Sequence, residues 1–135
     1  MATATEVCVR AQREIFGGGE VGLVDELIAP GCVDHSAPPG TPAGPEGIKA
    51  TVGWLHSVFD DLDYAIEDVF GAGDRVAVRA TFSGVHSGEL FGNAPTGRSF
   101  SVAHIHVYRV EDGRIAEHWA TRDDLGMMRQ LGLAG

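Results

Sequence analysis

Apolar positions recur along this chain with two periods, and the change from one to the other falls near Asp60-Asp61. From about Thr5 to Phe16, Val7, Cys8, Ala11 and Ile15 are spaced for one face of a helix, which Gly17-Gly18-Gly19 ends. A shorter helix is predicted over Val21 to Ala29, where Val24, Leu27 and Ile28 share a side before Pro30-Gly31 stops it. Asp34 to Pro45 hold four prolines and two glycines, too rigid and too poor in backbone donors for regular structure, and read as a loop. Pro45 suits the first turn of a third helix, along which Ile48, Val52, Leu55, Val58 and Phe59 recur at threes and fours, with Trp54 and His56 beside that stripe.

After Asp61 the alternation is of period two. Leu62 to Phe70, Arg75 to Val85, Ser99 to Val110 and Arg114 to Thr121 read as strands of an antiparallel meander. The last two are joined by Asp112-Gly113, a pair that accepts positive φ at both central positions of a type I′ turn. A final helix, Asp124 to Leu131, opens on acidic residues and ends at Gly132, as the macrodipole and the left-handed cap prefer. Helices segregated onto one face of a sheet give the α+β class, and a strongly curved antiparallel sheet under N-terminal helices encloses a pocket. The strands from Val76 to Phe82 and from Val102 to Val110 are apolar on both faces, so the outer sheet face also needs a cover, and a homodimer is expected.

Composition narrows the partners. One domain over residues 1–135 is expected from the length. Ten Lys+Arg against nineteen Asp+Glu give a net charge of −9, which repels nucleic-acid phosphates and anionic membrane surfaces. Cys8 and Cys32 lack CxxC spacing and no apolar run of signal or membrane length opens the chain, which points to a cytoplasmic setting.

The candidate chemistry lies between Phe100 and Gly132. His104 and His106 are two apart on a strand and share a face, and the hairpin returns a second strand bearing His118 on the face of Ala116 and Ala120. Burial favours the neutral imidazole, the form able to accept a proton, and His106 is the first choice for that role. His35 opens the proline-rich loop and is a candidate pocket residue, while Asp34 suits either a turn or an imidazole-orienting carboxylate. Trp54, Phe59 and Trp119 are either core or a wall for a flat polycyclic ligand. His56 and His86 read as surface residues. Three histidines with an aspartate would also be permissive for a metal, but the spacing is not diagnostic, and no metal is assigned. No Walker glycine pattern, GxSxG or strand-helix GxGxxG is present.

The loop GELFGNAPTGRSFS from Gly88 to Ser101, the stretch HIHVYRVEDGRIAEHW and the closing DLGMMRQLG resemble the SnoaL-like polyketide cyclase family of the nuclear-transport-factor-2-like superfamily, nearly end to end. The resemblance implies a cone-shaped α+β barrel with an internal cavity, often dimeric, acting without a cofactor on a small apolar or polycyclic ligand. It places the family's acid/base carboxylate on Ala120, an assisting histidine on His106, a polar pocket residue on His104, and an acidic position of structural or functional use on Asp123. Two readings stay open. One is a cofactor-free cyclase or isomerase-type enzyme in which His106 takes the proton with His118 or Asp123 as helper, and His104, His35, Trp54, Phe59 and Trp119 line the substrate. The other is a binding or dimerisation module of the same fold, which Ala120 favours.

Overall fold

A computed structural model describes residues 2–134. Helix α1 (Ala4–Arg10) is capped by the Thr3 side chain, which accepts from the Glu6 N–H. It runs without a break into a wider π-helical segment, Ala11–Gly17. Along both, Val7, Cys8, Ala11, Gln12, Ile15 and Phe16 are buried. A 3₁₀ turn (Val21–Leu23) leads into the single turn of α2 (Val24–Leu27). Strand β1 (Ile28–Asp34), helix α3 (Gly44–Val58), strands β2 (Phe59–Ala72), β3 (Arg75–His86), β4 (Ser99–Glu111) and β5 (Arg114–Arg122), and helix α4 (Asp124–Gln130) follow.

The sheet has five strands in the order β1-β5-β4-β3-β2. The four expected strands do form a meander, and Asp112 and Gly113 take the positive φ values of 52° and 77° that their turn requires. The expectation of a purely antiparallel sheet is corrected by β1, which pairs in parallel with β5, from Ile28 opposite Ile115 to Asp34 opposite His118. The second helix accordingly stops at Leu27 and not at Ala29. Pro30-Gly31, a helix-stop signal, lies inside this strand because an edge position tolerates a residue without an N–H, and a register shift between Ile28 and Val33 absorbs it.

One face of the sheet is dry. Val76, Val78, Ala80 and Phe82 on β3 and Val102, His104, His106 and Tyr108 on β4 alternate with more exposed neighbours and pack against Val7, Ile15, Phe16, Val24, Ile48 and Val52 from the helices. The opposite face shows Ile105, half exposed, with Val107 and Trp119 partly covered.

Candidate functional site: a chain of buried histidines

Period-two geometry and the β4–β5 register decide which side chains meet on the inner face. His106 lies opposite Ala120, Tyr108 opposite His118 and His104 opposite Arg122, so all six project to one side. Three of them are imidazoles, each no more than 2 % exposed. They are joined in series: His104 Nδ1 lies 3.2 Å from His106 Nε2, and His106 Nδ1 lies 2.8 Å from His118 Nε2. Parallel β1 then brings Asp34 beside His118, with Oδ1 at 3.0 Å from His118 Nδ1. Each inner ring uses one nitrogen toward each neighbour. The result is a line, whereas a tetrahedral metal site needs lone pairs converging on one point.

Electrostatics fixes the protons in this line. Burial alone would raise the Asp34 carboxyl, but the hydrogen bond from His118, the electrostatic attraction of that ring, and the Ser36 hydroxyl and N–H together outweigh it and hold the group at about 2. Asp34 is therefore a carboxylate near neutral pH. His104 is lowered to about 4, first by burial and then by the Arg122 charge. His106 lies well below the usual histidine value, first through burial and then through His118, His104 and Arg122. Both are neutral at pH 7.

The surroundings are aromatic. Phe16 stacks on His118 with ring centres 5.7 Å apart, Tyr108 stacks on it from 4.8 Å, and Tyr64 meets His104 and His106 edge-on. Tyr108, raised well above the usual phenol value by burial, stays protonated and donates to Gln12 Oε1. Gln12 Nε2 and His86 Nε2 are the fully enclosed polar side-chain atoms without a partner among the described residues. A recess of about 260 Å³ lies between the end of β1 and the start of α3, with Asp34 in its wall. A larger one, about 700 Å³, lies along the outer side of β1, β5 and the Asp112 turn, away from the histidines. Neither recess is lined by His104 or His106.

The structure thus gathers His104, His106 and His118 from the residues singled out in sequence, and separates the others. Asp123, expected as a helper, caps α4 by accepting from the Gly126 N–H. His35 and Trp119 belong to the outer face, because each is one residue away from an inward-facing group. There they stack at 4.9 Å, with Arg75 over the indole and Glu117 bonded to His35. Trp54 is exposed on α3 against Phe91, and Phe59 is core, packed edge-on to Phe82 and Phe100. His86 is not exposed but buried, since β3 continues through it and its Nδ1 accepts from the Thr96 N–H. His56 is partly covered and donates to the Phe16 carbonyl at the end of the π-helical segment. Sequence reasoning missed Arg122 and undervalued Asp34. The parity of β5 is the signal that would have found Arg122, which makes no salt bridge among the described residues.

The sequence profile of the SnoaL-like polyketide cyclases matches residues 6–131. The chain belongs to that family. It is 35 % identical over 130 residues to the aklanonic acid methyl ester cyclase DnrD of Streptomyces peucetius, covering 92 % of this chain and 88 % of that one. It is 33 % identical over 120 residues to the nogalonic acid methyl ester cyclase of Streptomyces nogalater, covering 87 % and 89 %. Among solved structures, TsrD of Streptomyces laurentii superposes with a TM-score of 0.87 at 30 % identity over 98 % of both chains. IdmH of Streptomyces antibioticus does so with 0.84 at 35 % identity, over 97 % of this chain and 99 % of its own. Within the SnoaL-like fold, the inner sheet face that bears the histidines is the face that the helices cover. No helix among the described residues is long and apolar enough to cross a membrane.

Proposed function

We propose that this SnoaL-like protein is a cofactor-free cyclase of polyketide-like carbonyl compounds in which the histidine line performs the acid/base work. The observation that carries this reading is the set of three buried imidazoles in hydrogen-bonded series beside Ala120, the position where the family resemblance places the acid/base carboxylate. Ring closure of this type breaks a C–H bond next to a carbonyl, and the resulting enolate attacks a second carbonyl of the same molecule. The alkoxide so formed takes the proton back, so the base is regenerated and nothing else is consumed. A neutral imidazole in a dry site suits the first step, and the Arg122 guanidinium on the same face offers positive charge to the enolate oxygen. Phe16, Tyr64 and Phe82 supply apolar ring surface for a flat substrate beside the histidines.

The test is turnover of aklanonic acid methyl ester and nogalonic acid methyl ester, the compounds named for the relatives, followed by absorbance and product mass. Ring-closed product without added metal or cofactor is expected. His106→Gln, which cuts the line at its centre, is expected to lower kcat by roughly a hundredfold or more. A second reading, a binding module without turnover, is favoured by Ala120; tight binding of either ester with no product would establish it. We further infer a homodimer through the outer sheet face around Ile105, Val107 and Trp119, and a cytoplasmic setting consistent with two buried free cysteines.

A further inference from the structure

We propose that Asp34, His118, His106 and His104 form an ordered proton relay, in which His104 Nε2 takes the substrate's proton and Asp34 is the positioning residue that holds the displaced charge. The inference rests on the acid/base reading above and names the atom that reading leaves open. A carboxylate only accepts, so the 3.0 Å contact requires the proton on His118 Nδ1. A neutral imidazole carries one proton, so His118 Nε2 must accept from His106 Nδ1–H at 2.8 Å. His106 Nε2 must then accept from His104 Nδ1–H at 3.2 Å. One lone pair is left over, on His104 Nε2. That nitrogen makes no hydrogen bond among the described residues, yet it is not one of the fully enclosed unpartnered atoms. His106, with both nitrogens engaged, has none to offer a substrate.

This polarity answers an energetic difficulty. A lone imidazole at the His104 position, at about 4, is a feeble base near neutral pH because burial and Arg122 oppose its charge. In the relay the charge does not stay there. As the substrate C–H proton joins His104 Nε2, the His104 Nδ1 proton passes to His106 Nε2 and the His106 Nδ1 proton to His118 Nε2. The positive charge ends on His118 against the Asp34 carboxylate, two rings from Arg122 and with Ser36 holding the acceptor. When the alkoxide forms, the same hops run backwards and return the proton through His104 Nε2.

Imidazole ¹⁵N NMR of the full-length, ligand-free protein at neutral pH tests the relay without any substrate. All three histidines are expected as the Nδ1–H tautomer, the opposite of the form a free histidine side chain favours. Any one of the three found as Nε2–H overturns the relay. In turnover, Asp34→Asn is expected to lose roughly a hundredfold or more in kcat, with KM little changed, and to release His118 from its Nδ1–H form. His104→Gln is expected to lose as much while His118 keeps that form. Full turnover by His104→Gln would place the accepting atom elsewhere and overturn the assignment. Aligned tautomers in a protein that closes neither ester would instead reject the cyclase reading while leaving the proton order intact, so the two failures are distinguishable.

Discussion

The buried imidazoles give the protein a pH signature independent of any substrate. His104 is lowered from the ordinary histidine value, so the unfolded chain binds its proton more tightly than the folded one. Stability is complete above pH 6.5 and is lost as pH falls toward about 4; for His104 the loss is about 3 kcal/mol. His106 adds in the same direction. Asp34, lowered to about 2, acts in a separate window, between the ordinary carboxyl value and pH 2. Urea midpoints are expected to hold from pH 7.5 to 6.5 and to fall from there to pH 4.5, and a flat profile would contradict the neutral, buried assignment. Replacing His104 with a residue that does not titrate, as in His104→Gln, is expected to flatten part of that slope.

At the scale of elements, glycines on one helix give opposite expectations. A Cβ on Gly47 of α3 would lie 1.9 Å from the Pro42 carbonyl oxygen, a backbone atom that cannot step aside. Gly47→Ala is therefore expected to destabilise by about 1–3 kcal/mol. Gly53, six residues on and with nothing within 4 Å, is expected to gain about 0.5–1 kcal/mol as alanine. Thermal melts of the two variants check both signs. The strands β2 to β5 and α3 and α4 were legible in the sequence because each is long and keeps one period, and His104 and His106 were placed on the inner face by that period alone. Strand β1 was not, because its proline and glycine match a helix stop and its pairing partner lies more than eighty residues away. Losing β1 hid the Asp34–His118 contact, since Asp34 also makes the ordinary turn bond to the Ser36 N–H that sequence reasoning assigned to it. His35 and Trp119 were misplaced for a simpler reason: aromatic character outweighed the parity that put His118 inside.

At the scale of the whole molecule, the sheet sorts its chemistry by face. The outer face carries the Arg75–Trp119–His35 stack and the half-exposed Ile105. Native mass spectrometry at micromolar concentration is expected to show twice the chain mass, and Ile105→Lys to shift it to the monomer; a monomer in the parent protein would refute the pairing. The helices that close the other face hold one more consequence, in the wide turn from Ala11 to Gly17. The buried pairs Val7-Cys8, Ala11-Gln12 and Ile15-Phe16 repeat every four residues, a spacing that drifts by about 40° per turn on an ideal α-helix. Widening the last turns takes up the drift and keeps Gln12 on Tyr108 and Phe16 on His118. Chain length in this segment is therefore constrained: with the turns already widened, one further residue between Arg13 and Ile15 would swing Phe16 by about 100° relative to Val7. A lineage of such proteins can exchange the exposed Arg13 here, but lengthening the segment further would move the ring that covers the histidines.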